Sequence, residues 1–293
     1  MILLSARSAP VPAGINSHSG RERSRPIWAG GMENEKEGDT IKTYKTPAGT
    51  LYKLYLDALD QPHLLIAGAT GSGKSVIING LIYTALRRLP LDRERGAQFI
   101  FIDPKRVELV QYKRVPHTIR YASEPGPILD ALRLAMAITE DRYKRMQARR
   151  LRKYPGGDVY VIIDEFADLM TTDARTVKPT IQRLAQIGRA ARVHIILATQ
   201  TPIAAVLPTE IKCNFDARFG LRTRSAQDSR NILDRAGLEL LPRYGQAIYR
   251  TPAGDTLYNV PYYSDAELQR LVDHWESQQA GPLRRFLDKL KSK

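Results

Sequence analysis

One eight-residue stretch limits what this chain can fold into more than any other: Gly68-Ala69-Thr70-Gly71-Ser72-Gly73-Lys74-Ser75. It is a glycine, four residues, then Gly-Lys-Ser. An apolar run, His63 to Ala67, precedes it. Ile77, Ile78, Leu81, Ile82, Ala85 and Leu86 follow at helical spacing. Strand, glycine-rich turn and helix in that order form a cradle for phosphate. The glycines let backbone N–H groups converge on anionic oxygens, and the helix points its positive end at the same place. Residues Gly68 to Ser75 are therefore the expected nucleotide loop. Lys74 is expected to reach the β- and γ-phosphates of ATP, and the Ser75 hydroxyl to coordinate Mg²⁺. The pattern alone says only nucleotide, because kinases, GTPases and motors share it.

The rest of the centre alternates in type. Further strands are expected at Gln98 to Ile102, Val159 to Ile163, Val193 to Ala198 and about Ala217 to Leu221. Helices are expected at Ser75 to Leu89, Ile128 to Arg149, Val177 to Arg192, Ala226 to Ala236 and Ser264 to Ser277. Such alternation predicts an α/β fold, a mainly parallel sheet flanked by helices on both faces. Thr46-Pro47-Ala48-Gly49 and Thr251-Pro252-Ala253-Gly254 each read as a hairpin turn between apolar flanks.

Val159 to Ile163 is wholly apolar and ends in Asp164-Glu165. Neighbouring residues on a strand point opposite ways, so the two acids can do different work. Asp164 is expected to bind Mg²⁺ through its water shell, and Glu165 to orient and deprotonate an attacking water. A pair of this kind favours hydrolysis. The Val193 strand ends in Thr199-Gln200. There Gln200 can sense a γ-phosphate, or equally be a satisfied loop residue.

The formal charge is +14, from 45 Lys and Arg against 31 Asp and Glu. That excess favours a polyanionic partner, nucleic acid before an acidic membrane surface. Arg145, Arg149, Arg150, Arg152 and Lys153 form the densest basic cluster. It reads either as contacts to DNA phosphate or as a solvated helix end that complements the helix dipole. No base-reading motif stands out, so sequence-tolerant binding is expected. Cys213 is the single cysteine, which excludes an internal disulfide and a thiolate zinc site and reads as a small packing residue. With no apolar run near the roughly 20 residues that span a bilayer, the expected location is the cytoplasm. Residues 1–38 read as a disordered arm, with Met32 as an alternative start. The core is expected over 39–278. Residues 279–293 read as a short basic amphipathic tail carrying Leu283, Phe286, Leu287 and Leu290.

In its ordered motifs the chain resembles the FtsK/SpoIIIE family of DNA translocases over most of residues 60–275. Gly68 to Ser75 runs into Val76-Ile77-Ile78-Asn79. Ile102-Asp103-Pro104-Lys105 with Glu108-Leu109 resembles the family's DPK segment, and Glu140-Asp141-Arg142-Tyr143 with Met146 its next helix. Asp164-Glu165-Phe166-Ala167-Asp168-Leu169-Met170 is similar almost throughout. So are Leu184-Ala185-Gln186 with Gly188-Arg189-Ala190-Ala191, and Leu197-Ala198-Thr199-Gln200. Asp228-Ser229-Arg230, Ile232-Leu233-Asp234 and Ala236-Gly237 complete the series.

The resemblance implies a RecA-like core that forms a hexameric ring on double-stranded DNA and pumps it with ATP. It also implies a positive residue given in trans to a neighbour's ATP, with Arg189 and Arg230 the matched candidates and Lys105 a third. Membrane helices ahead of the motor and a winged-helix module behind it, found in chromosome-dividing members, are not expected here. The segment Ala148 to Gly157 is compressed, and Thr201 stands where an arginine is usual. A short motor of this kind is similar to those of plasmids, phages or conjugative elements, with docking to a relaxase or membrane partner through the termini. Two other readings stay open: a type VII-like protein-secretion ATPase, and a coupling protein that binds nucleotide without turnover.

Overall fold

The computed structural model describes residues 42–44, 54–55, 57–88, 96–260 and 262–279. The expected arm, the first hairpin turn and the basic tail beyond its first residue, Gln279, lie outside the described residues. Among the described residues, nine strands form one sheet: β1 (Lys42–Tyr44), β2 (His63–Ala67), β3 (Gln98–Ile102), β4 (Thr118–Ala122), β5 (Val159–Ile163), β6 (Val193–Thr199), β7 (Ala217–Gly220), β8 (Gln246–Thr251) and β9 (Gly254–Asn259). Their spatial order is β1-β9-β8-β7-β2-β6-β5-β3-β4. β8 pairs antiparallel with both β7 and β9, and the other pairings are parallel. Hence β8 alone runs against the rest.

The helices are α1 (Lys74–Arg88), α2 (Pro125–Ala148), α3 (Phe166–Ala191), α4 (Thr209–Lys212), α5 (Ala226–Leu233) and α6 (Asp265–Gln279). Strand alternation divides the core in two. Leu65, Ile100, Ile102, Val161, Ile163, Ile195 and Leu197 face α2 and α3. Leu64, Ile66, Phe99, Phe101, Ile162 and Ile196 face α1 and the Val272 side of α6. All five residues of β2, all five of β5 and all seven of β6 are buried. A strand buried on both faces has no solvent side, which explains why apolar residues fill both faces of these strands apart from His63, His194 and Thr199. Each large apolar side chain so buried contributes about 1.5–3 kcal/mol.

Three departures from the sequence expectations have local causes. β4 was not expected: Thr-Ile-Arg-Tyr-Ala is an edge strand with Ile119 and Arg120 exposed, so it has no clean apolar period. α3 starts at Phe166, eleven residues before the expected Val177. Asp173 breaks its helical geometry (φ −154°, ψ 70°), accepts from the Thr176 N–H at 3.1 Å, and precedes Pro179. Such a mid-helix kink imitates a helix start. Cys213 is exposed rather than packed, because it caps the one-turn helix α4, its Sγ donating to the Glu210 carbonyl at 3.4 Å.

Candidate active site

The carboxyl ends of β2, β6, β5 and β3 lie side by side, and their loops meet in one cleft. The loop after β2 turns through Gly71 (φ 73°) and Gly73 (φ 105°), angles that side chains resist. Gly68 is needed for another reason: a Cβ there would lie 2.8 Å from the Leu221 Cβ and from Ser72 Oγ. The Ala69 N–H donates to the Arg222 carbonyl at 2.8 Å, tying the loop to the end of β7. Lys74 is buried, and its Nζ donates to the carbonyls of Gly68 (2.9 Å) and Ala69 (3.2 Å). Burial lowers its pKa to about 8, against the opposing pull of Glu165 and Asp164.

β5 delivers two buried acids to the same end. Asp164 is pushed up to about 7, by burial first and then by the charges of Glu108, Asp103 and Glu165. A cation beside it would relieve both. Among the described residues no cluster of three His, Cys, Asp or Glu could hold a metal unaided. That donor set suits Mg²⁺, which binds through one or two carboxylates, a hydroxyl such as that of Ser75, and phosphate oxygens.

Glu165 is 2% exposed and has several donors. Thr199 Oγ1 donates to Oε1 at 2.8 Å. The Gln200 N–H reaches Oε1 and Oε2 at 3.1 and 3.2 Å, and Lys105 Nζ lies 3.2 Å from Oε2. Burial works against the charge of Lys105, yet Glu165, Asp168 and Asp164 together hold its pKa above the ordinary value. The loop carrying Lys105 is set by Asp103, wholly buried. Its Oδ2 accepts from the Leu109 N–H at 3.0 Å and the Tyr121 hydroxyl at 3.3 Å.

Gln200 faces the other way. Its Oε1 accepts from Thr70 Oγ1 at 2.7 Å, so the end of β6 bridges the glycine-rich loop and the β5 acids. A cleft of about 200 Å³ is lined by Ala69, Thr70, Lys105, Glu165, Gln200 and Arg224, among others. Across the Ala69–Thr70 crest lies a basic cleft of about 430 Å³ with Ser72, Arg222, Arg224, Glu239 and Arg243. The pairing of Lys105 and Thr199 with Glu165, and the cleft arginines of the segments after β7, have no motif to announce them. They follow from strand order.

Other expected residues sit elsewhere. Arg189 is exposed in the last turn of α3, on the order of 30 Å of helix from Phe166. Because α3 runs back along the sheet, Arg189 lies at the opposite end from the cleft. Arg149, Arg150, Arg152 and Lys153 are exposed at that same opposite end, just after α2. Their loop is pinned by the Tyr154 N–H, which donates to the Ala190 carbonyl at 2.9 Å, and by the Arg142 guanidinium 4.5 Å from the Tyr154 ring centre. Asp158 closes the loop, accepting from Arg192 and His194. Arg230 is exposed on α5, whose Asp228 lines the cleft. Among the described residues neither Arg189 nor Arg230 forms an ion pair.

Sequence comparison decides the family. The FtsK/SpoIIIE family model matches residues 30–158 and 155–204. The chain belongs to the FtsK/SpoIIIE family. It is 38% identical over 241 residues to a protein named DNA translocase FtsK from Oceanobacillus iheyensis, covering 74% of this chain and 30% of that one. It is 31% identical to the DNA translocase FtsK of Rhizobium meliloti, covering 95% and 37%. The chain thus spans about a third of the length of these FtsK relatives. The conjugation coupling protein TcpA of pCW3 superposes with a TM-score of 0.64 at 23% identity, covering 74% of this chain and 66% of that one. The type VII secretion ATPase EccC of Thermomonospora curvata gives 0.63 at 18%, covering 74% and 28%. The mainly parallel sheet with flanking helices is the fold shared with these ATPase structures. Among the described residues, no helix of this FtsK-family chain is long and apolar enough to cross a membrane.

Proposed function

We propose that the chain hydrolyses ATP and uses the energy to move double-stranded DNA with little regard to sequence. One observation carries the hydrolytic reading. Glu165, buried and oriented by Thr199, Gln200 and Lys105, shares a cleft with the crest of a glycine-rich loop. The backbone of Gly68 to Ser75 cradles the phosphates. Lys74, with a pKa near 8, is largely charged at neutral pH and reaches the β- and γ-phosphates. Asp164 and Ser75 hold Mg²⁺, which when bound neutralises phosphate charge. Glu165 orients a water and takes its proton. Gln200, already bonded to Thr70, reports the γ-phosphate to the end of β6.

The DNA part of the reading is supported by the +14 charge, the pinned basic loop and the names of the relatives. Residues 39–278 would be the motor. Arg149, Arg150, Arg152 and Lys153 contact DNA phosphates. Arg189, far from its own cleft, serves a neighbour's nucleotide in a hexameric ring, with Arg230 the second candidate. The termini dock a relaxase or a membrane partner.

The test is the steady-state ATPase rate over a protein titration, with and without linear duplex DNA, beside Lys74→Ala. Stimulation by duplex that rises cooperatively with protein and is lost in the variant is expected. Turnover indifferent to duplex and single-stranded DNA would favour a polypeptide substrate. A rate unchanged in Glu165→Gln would point to a coupling protein without turnover of its own.

A further inference from the structure

We propose that Thr199 is a positioning residue for hydrolysis: its hydroxyl fixes Oε1 of Glu165, so that Oε2 is the oxygen presented to the reacting water. The inference rests on the ATPase reading above and adds to it a residue and a division of labour between two oxygens.

Register brings the pair together. Ile163 of β5 pairs with Leu197 of β6. Glu165 and Thr199 each lie two residues further on, so the pleat sends both side chains to the same face. Thr199 is wholly buried. Its oxygen accepts from the Thr201 N–H at 3.1 Å, which leaves the hydroxyl proton for Glu165 Oε1 at 2.8 Å. The geometry is thus directional: one hydrogen bond in, one out.

The two carboxylate oxygens have unequal partners. Oε1 accepts from Thr199 Oγ1, from the Gln200 N–H at 3.1 Å and from the Ala167 N–H at 3.4 Å. Two of these are main chain and the third is a buried hydroxyl with a fixed proton. Oε2 accepts from the Gln200 N–H at 3.2 Å and from Lys105 Nζ at 3.2 Å. Lys105 is a long side chain, 40% exposed, on the wall of the cleft. A water can take the place of a flexible ammonium. It cannot take the place of a strand end. Oε2 is therefore the oxygen that can exchange its partner, while Oε1 is the hinge pin that stops the carboxylate from turning.

Among the described residues, Thr199 is hydrogen-bonded to the glycine-rich loop through its main-chain carbonyl, which the Gly68 N–H meets at 3.4 Å, whereas its side-chain hydroxyl bonds to Glu165 and Thr201. Substituting its side chain should spare ATP binding and impair the chemical step. A misplaced general base costs about 10–100-fold in rate.

The experiment compares wild type, Thr199→Val and Thr199→Ser for kcat and KM in the presence of duplex DNA. A fluorescent ATP analogue measures nucleotide affinity, and thermal melting checks each fold. Valine keeps the shape and loses the donor, so kcat should fall about 10–100-fold with KM and affinity within about threefold. Serine keeps the donor and should restore kcat to within about threefold. In a Glu165→Gln background the valine substitution should change kcat less than about twofold, because residues that act as a unit are non-additive. Wild-type kcat in the valine variant, or equal loss in valine and serine variants, overturns the proposal. Should Thr199→Val fail to fold, Thr199→Ala removes the donor without added bulk and carries the same expectation. A wild type with no ATPase activity overturns the ATPase reading itself, and the control arm shows that separately.

Discussion

His63 stands at the start of β2, 3% exposed, its Nδ1 accepting from the Ile195 N–H at 3.1 Å. Burial first, then the nearby His194, lowers its pKa from 6.5 to about 3. In the folded chain it is neutral above about 3, whereas unfolded it takes a proton near 6.5. Between those values the unfolded state binds more protons, so stability declines as pH falls. The slope is about 1.4 kcal/mol per pH unit. Urea unfolding at pH 7, 6 and 5 should show that decline, and His63→Leu should flatten it. An unchanged slope would refute this account. Gly188 presents a steric case. A Cβ there would sit 2.3 Å from the Val193 carbonyl oxygen, so Gly188→Ala should cost about 3 kcal/mol in the same assay. Both positions are plain in the sequence as residues and silent as constraints, since each depends on a partner distant in the chain or on how tightly α3 turns into β6.

Among the elements, those that carry chemistry in consecutive residues could be recognised from sequence. The turn between β2 and α1 binds phosphate through neighbouring backbone groups, and the acids after β5 follow an unmistakable apolar run. Contacts across strands could not. Lys105 meets Glu165 only because β3 lies beside β5, and Thr199 meets it only because β6 lies on the other side. The edge strand β4 and the first turns of α3 are not legible in the sequence, because their patterning is mixed or interrupted. The loop between α2 and β5 supplies a prediction at this scale. Changing Arg149, Arg150, Arg152 and Lys153 to glutamate should weaken duplex binding. It should also reduce the slope of log affinity against log salt by up to about 3–4. Fluorescence anisotropy at several salt concentrations measures both, and an unaltered slope would exclude the loop as the DNA contact.

At the scale of the whole molecule, the cleft and Arg189 lie at opposite ends of the sheet, which makes complementation the informative measurement. Arg189→Ala and Glu165→Gln should each be nearly inactive alone. Mixed, they should regain part of the duplex-stimulated ATPase, because some interfaces would pair an intact Arg189 with an intact Glu165. No recovery would place Arg189 outside the catalytic interface. The sheet order has a separate consequence for how the chain comes into being. β2 finds its two neighbours in β6 and β7, both made more than a hundred residues later. A ribosome working at about 5–20 residues per second leaves that oily strand without a mate for several seconds. The phosphate cradle, hung on β2 and latched to Arg222, is complete only when nearly all of the sheet has been synthesised. A chain cut short before β7 is therefore expected to bind no nucleotide and to clump with its fellows.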